Sequence, residues 1–173
     1  MAVNLRQSCR YHQTKVELFY WQSTYINLFN ERVAFMERTL VLIKPDAVER
    51  KLIGQIIAIY EQKGLNITAL KMLRPSVAIA ENHYIEHKNK SFFKGLVDFL
   101  TSDKLCALII EGDNVIKAVR KVNGATDPAE AELGTIRGRF ALSMSANIVH
   151  ASDSPESAER EIKIWFPEGD SIA

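Results

Sequence analysis

The sequence lacks the features that define several special classes of protein. It has two cysteines in 173 residues, Cys9 and Cys106, which neither provide a disulfide framework nor match a metal-binding spacing. Cys106 lies in the run LCALII, where it is interpreted as a small core residue. No apolar run approaches the roughly 20 residues that span a bilayer. These shortages exclude disulfide-rich and helical membrane proteins, and we expect a cytoplasmic protein without a membrane partner.

An excess of charge of one sign is also lacking, because 22 lysines and arginines are matched by 21 aspartates and glutamates. This balance provides no global field for nucleic acid, so sequence-specific nucleic-acid binding is not expected. Any anion site must therefore be a local cluster of lysine and arginine. The apolar fraction of 47% and the charged fraction of 25% are those of an ordinary globular protein.

Residues 1–36 differ from the rest of the chain. They hold seven of the fifteen aromatic side chains, contain no glycine or proline and show no clean hydrophobic period. We interpret them as an N-terminal extension of unknown role: an appended helix, a disordered tail, a segment upstream of a true start at Met36, or an organelle transit peptide. Regular patterning begins after it, so residues 37–173 are expected to form the domain.

Predicted strands and helices alternate along this domain. Apolar runs predict strands at 39–43, 66–73 and 105–112, with a fourth at 140–143 or nearby. Helical spacing of apolar residues predicts helices from Val48 towards Gly64 and at 77–88, 91–100 and 114–122. A final helix begins with Ser154 as N-cap and Pro155 as its first residue.

The order of these elements predicts an α+β fold of the βαββαβ type. In this fold a four-stranded antiparallel sheet carries helices on its faces. The helical pair at 77–100 is then an inserted hairpin, and the glycine- and charge-rich residues 123–139 form a long loop.

His150 is the first candidate for chemistry, in the stretch NIVHASDSPESAERE. It stands at the end of an apolar run, Ser152 follows two residues later, and Glu161 lies two turns into the following helix. A neutral imidazole offers a nitrogen lone pair, and a hydroxyl and a carboxylate can orient the ring for attack. A histidine after an apolar strand can also be purely structural, so this pattern alone leaves both readings open.

Three cations lie where they could surround this histidine: Lys44 at a strand end, Arg120 at a helix end, and Arg137 in GTIRGRF. Arginine provides the two-pronged donor that phosphate needs, and Thr126 adds a hydroxyl. Several cations beside a neutral histidine favour phosphoryl transfer onto nitrogen over acyl transfer.

Phe92 does not belong to the core stripe of its predicted helix. Phe93, Leu96, Val97 and Leu100 already fill that stripe, which leaves Phe92 on a second face. It either packs against the neighbouring helix or provides a stacking platform for a nucleic base, which tolerates any base.

Five motifs together carry a resemblance to a known family: TLVLIKPDAV, HY, SFFKGLV, GTIRGRF and NIVHASDSPESAEREI. Across residues 37–166 the sequence resembles the nucleoside diphosphate kinases. The resemblance implies a ferredoxin-like βαββαβ sandwich. It also implies reversible transfer of a γ-phosphoryl group from nucleoside triphosphates to diphosphates, by a ping-pong mechanism through a phosphohistidine on His150.

The resemblance further implies roles for individual residues. Ser152 and Glu161 would orient His150, Lys44 and Asn147 would bind the ribose 3′-hydroxyl, and Phe92 and Met144 would flank the base. The phosphates would be held by Tyr84, Arg120, Thr126 and Arg137, with Mg²⁺ carried on the nucleotide oxygens. The family also implies a homo-oligomer, a tetramer or a hexamer, to which the 123–139 loop contributes.

Three positions depart from the family pattern without removing a catalytic group. Ala151 stands where glycine is usual, which would cost energy if the backbone there has positive φ. Ser91 stands where proline is frequent, and Met144 replaces a smaller branched residue.

Two alternatives remain at this point. One is a ferredoxin-like nucleotide- or RNA-binding module without catalysis; its usual aromatic strands and basic surface are missing here. The other is an inactive relative that serves as an interaction protein, which the complete set of predicted site residues argues against.

Overall fold

The computed structural model describes residues 36–169. The extension predicted for residues 1–36 therefore lies outside the described residues, except for Met36. The strands are Glu37–Ile43 (β1), Asn66–Leu73 (β2), Leu105–Gly112 (β3) and Val149–Ala151 (β4). The helices are Pro45–Glu49 (α1), Ile53–Gln62 (α2), Val77–His83 (α3), Phe93–Leu100 (α4), Val115–Asn123 (α5), Ile136–Phe140 (α6) and Pro155–Trp165 (α7), with a 3₁₀ turn at Ile85–His87.

The four strands form one antiparallel sheet in the order β2-β3-β1-β4. Helices α3 and α4 form the expected helical hairpin between β2 and β3. The predicted α+β class and the βαββαβ arrangement are confirmed. β4 pairs with the central strand β1, and this pairing places His150 directly opposite Leu42.

The sheet is apolar on both faces because β1 and β3 are buried almost throughout. Alternate residues point to opposite faces, so each strand supplies two cores. Val41 and Ile43 join a core with α2 and α5, whereas Leu40 and Leu42 join a second core with α3, α4 and α7. Both faces are therefore covered by helices.

The fourth strand, predicted at 140–143 or nearby, was placed too early in the chain. Residues Ile136–Phe140 form α6, whose first turn is capped by the Thr135 hydroxyl accepting from the Gly138 N–H. The fourth strand lies later, at Val149–Ala151. Three residues are too few to show the alternation of apolar and polar side chains that predicts a strand. Pairing with β1, and not the local sequence pattern, therefore determines that this segment is a strand.

The helix predicted from Val48 towards Gly64 is divided into α1 and α2. Lys51, between them, has φ of +57°, a left-handed conformation that ends a helix. The other boundaries agree closely with the patterns, including the start of α7, where the Ser154 side chain accepts from the Ser157 N–H and Pro155 occupies the first turn.

Within residues 36–169, no helix combines the length and the apolar character needed to cross a bilayer. This finding does not test the expected cytoplasmic location, which stays a prediction.

Candidate active site

A cleft of about 880 Å³ opens at the end of the sheet where β1 leaves and β4 enters. It is lined by ten of the eleven predicted site residues: Lys44, Tyr84, Phe92, Arg120, Thr126, Arg137, Met144, Asn147, His150 and Glu161. The eleventh, Ser152, lies behind this wall and is fully buried. The fold thus brings together residues that span more than a hundred positions of sequence.

His150 is held by one ring nitrogen only. Its Nε2 lies 3.0 Å from Oε2 of Glu161. A carboxylate can only accept, so Nε2 carries a proton, and in the neutral ring Nδ1 keeps its lone pair. No residue of the described part of the chain hydrogen-bonds to Nδ1, and the side chain retains 23% exposure to the cleft. The ring therefore presents an unprotonated nitrogen to whatever enters.

Ser152 acts on the carboxylate and not on the ring. Its hydroxyl donates to Oε2 of Glu161 over 2.7 Å and accepts from the Leu40 N–H of β1. The same oxygen of Glu161, a residue of α7, thus accepts hydrogen bonds from both Ser152 and His150. The predicted orientation of the imidazole by Ser152 is indirect.

His83, which the sequence reasoning did not single out, lies beneath His150. The Trp165 Nε1–H donates to its Nδ1 over 3.2 Å, and the two imidazoles meet edge to face with centroids 4.5 Å apart. Burial, together with the nearby His150 and Arg160, lowers the pKa of His83 well below its ordinary value of 6.5. The ring is therefore neutral, and its 3.9 Å approach to Oε1 of Glu161 is not an ion pair.

The ligand atoms of His83, His150 and Glu161 lie within 4.8 Å of one another. Two imidazole nitrogens and one carboxylate are a donor set for zinc-like ions, whereas Mg²⁺ prefers oxygen ligands in octahedral geometry. Nδ1 of His83, Nε2 of His150 and Oε2 of Glu161 already take part in hydrogen bonds. This cluster does not fit a resident Mg²⁺.

Lys44 and Asn147 meet on the opposite side of the cleft. Nζ of Lys44 donates to Oδ1 of Asn147 over 2.7 Å, and the Asn147 amide donates to the backbone oxygen of Thr126. Burial lowers the pKa of Lys44 from 10.5 to about 8; the Arg137 charge adds to this effect and Asp46 opposes it. Three predicted residues therefore share one hydrogen-bonded chain.

Arg137 is anchored by backbone oxygens. Its guanidinium and Nε donate to the carbonyls of Asn147, Gly124 and Val149 over 2.7 to 3.3 Å. Because arginine has five N–H donors, two remain for a ligand. Arg120, in contrast, is exposed in the wall of the cleft. One arginine is thus fixed in place and the other lies at the surface.

The mouth of the cleft is apolar. Phe92 and Met144 both line it, with exposures of 52% and 58%. The ring of His87 lies 5.8 Å from that of Phe92. Tyr84 is buried deeper, and this burial raises the pKa of its hydroxyl above the ordinary value, which keeps the proton on the oxygen. An exposed phenylalanine at a cleft is a typical ligand-contact position.

Two further residues of the site carried no separate signal in the sequence. Arg160 donates to the His83 carbonyl and to Glu86 from α7, and Asp46 accepts the Ile148 N–H. Both residues lie inside the motifs that carry the family resemblance. Because charged residues in a helix are usually solvent-exposed, sequence position alone did not mark them as residues of the site.

The alanine that follows His150 is accommodated without strain. Ala151 belongs to β4, pairs with Val41 and is not among the described non-glycine residues with positive φ, which are Lys51, Asn114 and Ile148. The methyl group that departs from the usual glycine therefore has no conformational cost here.

Known proteins that match this chain define its class as a phosphotransferase. The family model described as nucleoside diphosphate kinase matches residues 37–171, so the chain belongs to that family. A nucleoside diphosphate kinase of Methanothermobacter thermautotrophicus is 56% identical over 135 residues, which cover 78% of this chain and 90% of the relative. One of Clostridium perfringens is 57% identical over 132 residues, covering 76% and 92%.

The fold agrees with this assignment. The crystal structure of a nucleoside diphosphate kinase family protein from Babesia bovis superposes with a TM-score of 0.76 at 44% identity, covering 79% of this chain and 93% of that chain. The family predicted from the motifs is confirmed, and the protein is a nucleotide-binding transferase of the kinase type.

Gly124 provides a test of how the loop positions Arg137. It has φ of +82°, and an added Cβ would overlap the hydroxyl of Thr135, the N-cap of α6. We expect Gly124→Ala to lower the free energy of unfolding by more than about 1 kcal/mol and to weaken nucleotide binding. Urea denaturation and equilibrium binding measure the two effects.

Gly134→Ala is the matched control, because nothing lies within 4 Å of an added Cβ there. It should leave both quantities close to those of the wild type. Equal effects of the two substitutions would contradict this account of the loop.

Proposed function

We propose that this protein transfers the γ-phosphoryl group of a nucleoside triphosphate reversibly to a nucleoside diphosphate, by a ping-pong mechanism through a phosphohistidine on His150. The observation that carries the proposal is the contact of His150 Nε2 with Glu161, which leaves Nδ1 without a hydrogen bond to any described residue, in a cleft that also contains Lys44, Arg120 and Arg137. Cations around an unprotonated nitrogen favour attack on phosphorus.

In the first half-reaction, Nδ1 of His150 attacks the γ-phosphorus and forms an N–P bond. The bond from the γ-phosphorus to the bridging oxygen breaks, and the diphosphate leaves with that electron pair. No proton has to move, because Nε2–H continues to donate to Glu161, whose negative charge offsets the positive charge that develops on the ring. In the second half-reaction, a terminal oxygen of an acceptor diphosphate attacks the same phosphorus and restores His150.

The polar side of the cleft would bind sugar and phosphates. The pair of Lys44 and Asn147 is proposed to contact the ribose 3′-hydroxyl, which can donate to one and accept from the other. The phosphates are assigned to the hydroxyls and cations that line the wall: Tyr84, Arg120, Thr126 and Arg137. Because Arg137 is anchored by three carbonyls, its contribution needs little reorganisation when the ligand arrives.

The apolar mouth would receive the base between Phe92 and Met144. Stacking uses the π-face that every base has, and a thioether adapts to rings of different shape. Neither side chain reads hydrogen-bonding groups on the base edge. The proposal is therefore a broad range of nucleotides, ATP and GTP among them.

Kinases generally use a divalent metal ion, and Mg²⁺ is the ion proposed here. It would enter on the phosphate oxygens of the nucleotide, since the compact donor cluster of the cleft is rich in nitrogen. The ion would neutralise phosphate charge during transfer. Accordingly no side chain is assigned as its ligand.

The membership of the family favours catalysis over a nucleotide- or RNA-binding module that lacks it. A homo-oligomer, tetrameric or hexameric, stays a prediction that follows from the resemblance, and a cytoplasmic location stays one that follows from the composition.

His150→Ala removes the proposed nucleophile, so phosphoryl transfer should be abolished. Brief incubation of the wild type with γ-labelled ATP should leave acid-labile, alkali-stable label on the protein, and the variant should take up none. Circular dichroism and nucleotide binding serve as controls for folding. Label on the variant, or appreciable turnover, would refute the assignment.

Phe92→Ala removes the stacking platform. Because stacking contributes about 1–3 kcal/mol per base, we expect KM to rise about tenfold for ATP, GTP, CTP and UTP alike. Leu142→Ala is the control, since Leu142 is exposed but does not line the cleft. A loss confined to one base would contradict the stacking role.

The lowered pKa of Lys44 predicts that the activity depends on pH. Its pKa of about 8 means that the charged form is present below pH 8 and is lost as the pH rises further. If this charge binds substrate, kcat/KM, which reports groups of the unliganded enzyme, should fall above about pH 8. Lys44→Arg should flatten that limb, because guanidinium does not titrate there. An identical alkaline limb in both proteins would exclude Lys44 as its source.

A further inference from the structure

Ile148 adopts a backbone conformation that a β-branched residue rarely takes. Its φ is +71°, and its side chain is fully buried in the core that faces α2 and α5. The Val149 N–H donates to the Asn147 carbonyl over 2.8 Å, so residues 147–149 form a γ-turn centred on Ile148. Turns of this kind persist only where the surrounding structure holds them.

This turn joins the two sides of the cleft. Asn147, on one side of it, carries the side chain that binds Lys44. His150 follows two residues after the turn centre. The backbone carbonyls of Asn147 and Val149 also accept hydrogen bonds from the Arg137 side chain. The distance between the proposed nucleophile and the proposed sugar site therefore depends on how the turn is held.

Two groups from the segment after β1 hold Ile148. The Lys44 N–H donates to its carbonyl over 2.8 Å, and Oδ2 of Asp46 accepts its N–H at 3.0 Å. The other oxygen, Oδ1 of Asp46, is buried and has no hydrogen-bond partner among the described residues. An unpartnered buried carboxylate oxygen is costly, and such a group calls for an explanation beyond satisfying one N–H.

We propose that Asp46 is a positioning residue of this site: its carboxylate holds the strained turn at Ile148, and the turn fixes the spacing between Asn147 with its bound Lys44 and His150. The proposal rests on the proposed phosphotransfer function. A carboxylate has a second effect that an amide would lack, since the negative charge of Asp46 favours the protonated form of Lys44.

Asp46→Ala and Asp46→Asn separate the two effects. Alanine removes the acceptor for the Ile148 N–H, so kcat/KM and the rate of His150 labelling should both fall by about tenfold or more. Asparagine keeps an acceptor oxygen but not the charge. Its activity at neutral pH should stay within about threefold of the wild type, and its alkaline limb should move to lower pH.

A structural role alone would lower the melting temperature of Asp46→Ala without changing kcat/KM of the folded enzyme, and that result would overturn the proposal. Equal loss of activity in the alanine and asparagine variants at neutral pH would also overturn it, because the retained acceptor would then be without effect.

The strain itself is tested by a pair of substitutions in the Asp46→Ala background. Ile148→Gly and Ile148→Ala both remove the buried side chain, but glycine alone adopts φ near +71° without strain. The glycine variant should recover at least about threefold more activity than the alanine variant. Equal activity of the two would mean that the turn does not need to be held.

Hydrogen exchange of the Ile148 amide distinguishes failure of this proposal from failure of the proposed function. Protection should be lost in Asp46→Ala and kept in Asp46→Asn, whether or not the protein is active. Absence of label on wild-type His150 would refute the phosphotransfer function only, whereas unchanged amide protection in Asp46→Ala would refute the positioning role.

Discussion

The hydrogen bond between Nε2–H of His150 and Glu161 is the interaction on which the rest of the site depends. It places a proton on Nε2, so that the neutral ring keeps the lone pair of Nδ1, and it holds a negative charge on the side of the ring away from the proposed bond to phosphorus. Ser152 donates to the same oxygen, and the Leu40 N–H of the central strand fixes Ser152 in turn. This series of hydrogen bonds links His150, the proposed nucleophile, to the central strand of the sheet.

On the opposite side of the cleft lie two buried cations, Lys44 and Arg137. They repel each other and lose hydration, which costs free energy. The structure compensates Arg137 with three backbone carbonyls and Lys44 with the Asn147 side chain. Compensation remains partial for Lys44, whose pKa is lowered by burial to about 8. A bound phosphate would add negative charge beside Lys44. The site is therefore organised for an anion before one binds.

Sequence patterns predicted most of this arrangement, and the failures have identifiable causes. Short apolar runs and one alternating pattern predicted β1, β2 and β3, and ten of the residues predicted for the site line one cleft. The fourth strand was misplaced because three residues carry no measurable period. His83 and Asp46 were missed because their importance lies in contacts distant in sequence: the Trp165 side chain bonds to buried His83, and the Ile148 backbone N–H bonds to Asp46. Such tertiary contacts leave no local periodicity.

The pairing of β4 with β1 has one more consequence. Val149 and Ala151 face the first core, and His150, opposite Leu42, faces the second, where Glu161 lies. A slip by one residue would exchange these faces and direct the imidazole into hydrocarbon. An insertion or deletion within the three paired residues would therefore turn His150 away from Glu161.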